Sequence, residues 1–120
     1  MITKKQKSYW FGIFAEYWVI IIFSFIGYKF IARRYKTKLG EIDLIFLKNN
    51  NLVIVEVKAR KNKNIEIGEV VSYKQCQRIL NATKLFLNKN KKYSNLNIRI
   101  DIILINSMFK IKHIKNVWIE

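Results

Sequence analysis

Two pairs of charged residues could together form a site for a divalent cation. Glu41 and Asp43 lie two positions apart, and Glu56 and Lys58 repeat this spacing inside the apolar run Leu52–Arg60. Residues two apart in a β-strand share a face, so each pair projects to one side of its strand. Carboxylate oxygens are the ligands that hard divalent cations prefer. The pattern therefore predicts a cation site with a lysine beside it.

The segment between the two pairs predicts a tight β-hairpin. Asparagine tolerates left-handed backbone conformations, and Asn49–Asn51 supplies three in a row. With the first two as the tip, antiparallel pairing places Asp43 opposite Glu56 and Glu41 opposite Lys58. Two carboxylates that face each other repel, so this arrangement requires a proton or a cation between them.

The register of the hairpin decides whether the site forms. A three-residue loop would move Asp43 opposite Val57 and exchange the faces of one strand. The expected two-residue loop instead gives one wholly apolar face. That face contains Ile42, Leu44 and Phe46 opposite Val57, Val55 and Val53.

A salt-bridged strand end is the simpler alternative, in which Glu41 pairs with Lys58 while Asp43 and Glu56 are solvated. The scarcity of acids favours the cation site. Only 8 of the 120 residues are Asp or Glu, against 23 Lys and Arg, and three of the eight converge here.

Length and composition predict one domain over residues 1–120. A chain of 14.4 kDa with 51% hydrophobic residues can bury one core but is too short for two domains. The single Cys76 excludes an internal disulfide and a cysteine-rich zinc site, so we expect a reduced, cytoplasmic protein.

The net charge of +15 predicts a polyanionic partner, and nucleic acid is the first candidate. Part of the lysine excess accompanies many Ile and Asn residues, whose codons are rich in A and T. Basic residues nevertheless cluster on both sides of the acids. The expected nucleic-acid-binding residues are Arg33, Arg34, Lys36, Lys38 and Arg60.

Ser8 to Tyr28 predicts a helix in which only Glu16 is charged. Its uncharged part from Trp18 onward is about a dozen residues, which suits a buried core helix better than the roughly 20 residues of a bilayer span. We therefore favour a soluble helix over an anchor. Its outer face is apolar, which predicts a protein partner or a peripheral membrane contact there.

The rest of the chain predicts a mixed sheet. Because a helix connects the Leu52 strand to the Ile98 strand, those strands should be parallel. His113 stands alone and is expected on a strand surface. The predicted segments are a first strand at Lys29–Lys36, a loop at Asn62–Glu69 that could cover the site, a helix at Ser72–Leu87, a strand at Ile98–Ile105 and an edge strand at Lys110–Ile119.

The motifs Gly40–Ile45 and Val55–Arg60 resemble those of the YraN-like family of predicted endonucleases. The fold of that family is similar to Holliday-junction resolvases in the PD-(D/E)xK nuclease superfamily. The resemblance implies an α/β, restriction-endonuclease-like core: a mixed β-sheet flanked by helices, in the order helix, three strands, helix, strand. Further matches are Gly12, Ala15, Glu16, Gly27-Tyr28, Lys74-Gln75 and Arg99-Ile100-Asp101.

The resemblance also implies roles for the residues of the two motifs. Asp43, Glu56 and the carbonyl of Val57 would bind Mg²⁺ or Mn²⁺. Lys58 would orient or deprotonate the attacking water and stabilise charge in the transition state. Glu41 would contact the metal ligands without binding the metal itself.

Two helix residues resemble further site residues of the family. Glu16 looks like the first-helix acid of related resolvases, although it could be a helix-surface acid. Gln75 looks like their polar helix residue, although Ser72 followed by Gln75 equally fits a capping box. One departure is Arg34, where the family usually has Asn.

The resemblance implies hydrolysis of phosphodiester bonds, in DNA more readily than RNA, with branched DNA as one substrate. Resolvase-like folds often form homodimers that cut two strands symmetrically. The alternative is a non-catalytic nucleic-acid-binding module that keeps the nuclease-like fold as a scaffold.

Overall fold

A computed structural model describes residues 2–60 and 72–117. Five strands form one sheet in the order β1-β2-β3-β4-β5, in which β3 and β4 are parallel and the other neighbours antiparallel. The predicted mixed sheet and the predicted order of elements are confirmed. The elements are α1 Lys4–Phe25, β1 Lys29–Thr37, β2 Gly40–Lys48, β3 Asn51–Ala59, α2 Tyr73–Lys89, a 3-10 turn Lys91–Tyr93, β4 Asn97–Ile105 and β5 Ile111–Ile114.

The two helices cover opposite faces of the sheet. Alternation along β3 sends Val53 and Val55 to the face covered by α1, and Leu52 and Ile54 to the face covered by α2. β3 is therefore buried on both sides, as its nearly continuous apolar sequence predicts.

Helix α1 begins earlier than predicted because Thr3 caps it. The Thr3 hydroxyl accepts a hydrogen bond from the Gln6 N–H at 3.1 Å, and the Gln6 side chain accepts from the Thr3 N–H at 2.9 Å. These reciprocal bonds form a capping box. The buried face of α1 packs on the sheet through Ala15, Val19 and Phe23. Within the described ranges α1 is also the one helix long and apolar enough to cross a membrane, by length and composition alone.

The predicted hairpin register is confirmed from the turn to Leu44. Lys48 pairs with Asn51 and Leu44 with Val55, with Asn49 at φ 55° in the tip. A two-residue loop therefore connects the strands, as the asparagines predict.

Beyond Leu44 the predicted faces are wrong. Ile42 packs on the α2 side of the sheet, whereas Leu44 packs on the α1 side, so strand β2 changes its alternation at Asp43. The expected backbone pairings of Asp43 with Glu56 and of Glu41 with Lys58 do not form, because the ladder between β2 and β3 ends at Leu44 and Val55.

His113 is not the surface residue that we predicted. Its Nε2 lies 2.7 Å from the Oδ2 of Asp101, a fully buried carboxylate that also accepts bonds from Arg99 and from the Asn116 N–H. Burial alone would raise the pKa of Asp101, but the hydrogen bonds from His113, Asn116 and Arg99 outweigh it and lower that pKa.

Strand β5 is a sheet edge, as predicted, but it is shorter than Lys110–Ile119. Residues 118–120 lie outside the described ranges. So does the loop predicted at Asn62–Glu69.

Gly40 adopts a backbone conformation that β2 needs at its start. Its φ is 157°, and an added Cβ would lie 3.3 Å from the carbonyl oxygen of Arg78 in α2.

We expect Gly40→Ala to lower the free energy of unfolding by about 1–3 kcal/mol, measured by urea denaturation. Gly12→Ala is the matched control, because Gly12 is helical with nothing within 4 Å of the added Cβ. It should raise stability by roughly 0.5–1 kcal/mol. Equal effects of the two changes would contradict the prediction.

Candidate active site

Asp43 and Glu56 meet where strands β2 and β3 separate. Their backbone pairing stops at Leu44 and Val55, yet the two carboxyl groups stay close enough for the charge of Asp43 to raise the pKa of Glu56. The Oδ2 of Asp43 accepts a hydrogen bond from the Val57 N–H at 3.0 Å. The Asp43 side chain thus occupies the place that a β2 carbonyl would take in a continued ladder.

The Val57 carbonyl belongs to the same gap between the strands. In an extended strand the N–H and C=O of one residue point to the same side. Because the Val57 N–H points to Asp43, its carbonyl oxygen faces the β2 side as well. Three oxygen-bearing groups therefore converge here, on Asp43, Glu56 and Val57.

Glu56 is held by two polar side chains from different elements. The Lys58 Nζ lies 3.4 Å from its Oε1, and the Gln75 Nε2 of α2 donates to the same oxygen at 3.2 Å. Lys58 reaches it because residues two apart on β3 share a face. Ser72 caps the Gln75 N–H, but the Gln75 side chain turns to Glu56, so only half of the predicted capping box forms.

The electrostatics of the pair favour a proton or a cation. Burial, followed by the charge of Asp43, raises the pKa of Glu56 to about 8, and Lys58 opposes this shift without cancelling it. Burial also raises the pKa of Asp43. The hydrogen bond from the Val57 N–H lowers that pKa but does not cancel the effect of burial. The metal-free pair therefore retains a proton near neutral pH.

Glu16 lies on the buried face of α1 and not on the helix surface. Its Oε1 accepts hydrogen bonds from the Arg33 Nη1 at 2.9 Å and from the Arg34 Nε at 3.0 Å. Consecutive strand residues normally point to opposite faces. Arg34 reaches the same oxygen because its backbone is left-handed, with φ 51°. Asparagine adopts this conformation readily, whereas arginine does so rarely.

The residues fit an open Mg²⁺ site better than a closed one. No three His, Cys, Asp or Glu side chains cluster around a common point in residues 2–60 and 72–117. Mg²⁺ is commonly bound by one or two carboxylates and completes its shell with waters and substrate phosphates. Asp43, Glu56 and the Val57 carbonyl match that donor set. Glu16 stays engaged with its arginines, and Glu41 is exposed.

The surface around the site is strongly basic. Glu41 is the one exposed carboxylate of the described residues. Lys36, Lys38 and Arg60 are exposed, as nucleic-acid contacts require, whereas Arg33 and Arg34 are half-buried on Glu16. The structure therefore leaves three of the five predicted basic contacts freely accessible.

A groove beside Arg60 adds two residues that sequence reasoning missed. Lys4 and Ser8 of the first turns of α1 line it together with Phe11, Ala59 and Arg60. Only the tertiary packing of α1 over the end of β3 brings them here. Ser8 already lay in the predicted helix, and the capping residue Thr3 was the available signal that the helix also includes Lys4.

Comparison with known proteins identifies relatives along most of the chain. The model of the uncharacterised protein family UPF0102 matches residues 15–105. A UPF0102 protein of Ehrlichia ruminantium is 38% identical over 110 residues, which cover 91% of this chain and 84% of the relative. One from Bartonella tribocorum is 40% identical over 111 residues, with 92% and 85% covered. One from Agrobacterium fabrum is 36% identical over 103 residues, with 86% and 84% covered. The chain therefore belongs to the uncharacterised protein family UPF0102, which is the YraN-like family that its two strand motifs resemble.

Proposed function

We propose that this protein is a metal-dependent endonuclease that hydrolyses phosphodiester bonds in nucleic acid, with DNA preferred over RNA and branched DNA among its substrates. The observation that carries the proposal is the partly buried pair of Asp43 and Glu56, with the Lys58 amine 3.4 Å from Glu56. Two carboxylates held together and largely away from water are costly unless a proton or a cation lies between them, and a divalent cation beside a lysine is the arrangement of a hydrolytic site.

Asp43, Glu56 and the Val57 carbonyl would hold Mg²⁺ or Mn²⁺. The ion would neutralise the phosphate and activate a water. Lys58 extends from the same end of β3 as Glu56, so its amine would donate hydrogen bonds that orient the attacking water and stabilise the added negative charge. Gln75 fixes the Glu56 carboxylate through its hydrogen bond of 3.2 Å.

The charge distribution supports nucleic acid as the substrate. Phosphates would contact Lys36, Lys38 and Arg60, whose affinity for a polyanion falls as the salt concentration rises. Glu16 would keep Arg33 and Arg34 in place beside this surface. A homodimer would present two sites to two strands. The free Cys76 is consistent with our proposal of a cytoplasmic location.

We expect Lys58→Ala to reduce cleavage by roughly 10²- to 10⁴-fold, because the water loses its orienting donor. The assay incubates purified protein with labelled linear, flapped and four-way DNA, and with RNA, in Mg²⁺ or Mn²⁺. Lys112→Ala is the matched control, since it removes the same charge from an exposed position on the edge strand β5. Its cleavage rate should stay within about twofold of the wild type.

Equal cleavage by wild type and Lys58→Ala would indicate a contaminating nuclease. A wild type that binds nucleic acid but cuts none of the substrates with either metal would favour the alternative function, a non-catalytic nucleic-acid-binding module on a nuclease-like scaffold.

A further inference from the structure

Helix α1 presents a continuous apolar face to solvent. We call Trp10, Phe14, Tyr17, Ile21 and Phe25 the aromatic stripe, after the four aromatic residues among them. They follow one another at intervals of three or four residues, and each is between 48% and 86% exposed. That spacing places them on one side of the helix over about 22 Å. Isolated exposed apolar residues are common, but a row of this length marks an interaction surface.

The turn between β4 and β5 extends this face. The Phe109 ring lies 5.9 Å from the ring of Trp18 and 5.9 Å from that of Phe11, so the turn is fastened to α1. Met108 beside it is 62% exposed. The apolar surface is therefore wider than a single helix stripe.

The other side of α1 excludes insertion across a bilayer in this fold. Ala15, Val19 and Phe23 pack into the core with the sheet. Glu16 on the same side is 7% exposed and carries the ion pairs with Arg33 and Arg34. Spanning the membrane would break these pairs and expose the core, whereas lying on a membrane surface uses only the stripe.

The charges near the stripe identify its partner. Lys7 lines a groove together with Trp10 and Phe14 of the stripe, Lys4 and Lys5 are exposed on the same first turns of α1, and the one acid of the helix, Glu16, is buried. A second copy docked on the same face would bring its own N-terminal lysines next to these, and the two sets of charges would repel each other. An anionic surface would instead be attracted.

We propose that α1 docks on the surface of an anionic lipid bilayer, with the aromatic stripe at the headgroup boundary and its lysines on the acidic headgroups. Trp and Tyr are the residues enriched at that boundary. An apolar face with adjacent lysines is the pattern of helices that lie in the membrane plane.

The test is cosedimentation of the full chain with large vesicles of phosphatidylcholine alone or mixed with phosphatidylglycerol. We expect the wild type to pellet with the mixed vesicles and to stay in solution with the neutral ones. Phe14→Glu should weaken the binding by roughly tenfold or more, because it places a charge inside the stripe. Leu39→Glu is the matched control. It makes the same change at a residue that is 50% exposed in the β1–β2 turn, and it should shift binding by about twofold or less.

Circular dichroism checks that both variants are folded. The proposal is overturned if the wild type does not pellet with the mixed vesicles, or if both variants bind them equally well. It is also overturned if light scattering shows a dimer without vesicles that Phe14→Glu dissociates, because a second copy then covers the stripe. Nuclease activity is not needed for any of these outcomes.

Discussion

Asp43→Asn is expected to abolish cleavage and, at the same time, to stabilise the metal-free protein. Losing one of two carboxylates should reduce the single-turnover rate by roughly 10³-fold, since a bound metal contributes several kcal/mol to such reactions. The metal-free fold should gain about 1–2 kcal/mol near neutral pH, because the Asp43 charge that helps to raise the pKa of Glu56 disappears, while an amide oxygen can still accept from the Val57 N–H. Quenched-flow cleavage and urea unfolding measure the two effects.

Glu41→Gln is the matched control for this change. It removes the same charge from an exposed position on the same strand, two residues from Asp43. Its stability should stay within about 0.5 kcal/mol of the wild type. If Asp43→Asn loses stability together with activity, the Asp43 side chain is needed for the fold, and the loss of cleavage no longer indicates a metal ligand.

The metal-free protein is expected to lose stability as the pH rises from 4.5 to about 8. The folded state holds the Glu56 proton with a pKa of about 8, whereas the ordinary pKa of a glutamate, which applies to the unfolded chain, is 4.5. Below the lower value both states are protonated, and between the two values only the folded state keeps its proton. Stability therefore falls across this window, on the order of 3–5 kcal/mol in total.

Urea midpoints at several pH values measure this dependence, and Glu56→Gln should flatten it. Mg²⁺ or Mn²⁺ should raise the midpoint more at the alkaline end, where the carboxylates are free of protons. An unchanged slope in Glu56→Gln would assign the pH dependence to other groups. Asp101 acts in the opposite sense, because its lowered pKa contributes stability that is lost as the pH falls.

The hairpin and the mixed sheet could be predicted because local rules determine them. Asn49 and Asn50 favour the tight turn, and alternation fixes the register from there to Leu44. A helical connection makes β3 and β4 parallel. These rules act over a few residues or follow from chain connectivity, so the sequence alone carries them.

The change of face at Asp43 could not be predicted, because contacts distant in sequence cause it. The left-handed backbone of Arg34 beside it is stabilised by Glu16, which lies far away in α1. His113 likewise appeared solitary because its partner Asp101 is twelve residues away along the chain. Gln75 had two satisfactory local explanations, and only the packing of α2 shows that its side chain reaches Glu56.

The contact of Arg33 and Arg34 with one oxygen of Glu16 has a mechanical consequence. A rotation of α1 about its own axis would break both ion pairs at once, so these pairs resist any turn of the helix relative to the strand beside Asp43. Whatever binds the outer face of α1 then fixes the direction in which the opening between Asp43 and Glu56 points. Anchoring of the outer face of α1 would thereby restrict the angles from which a long, stiff polyanion can approach the opening between Asp43 and Glu56.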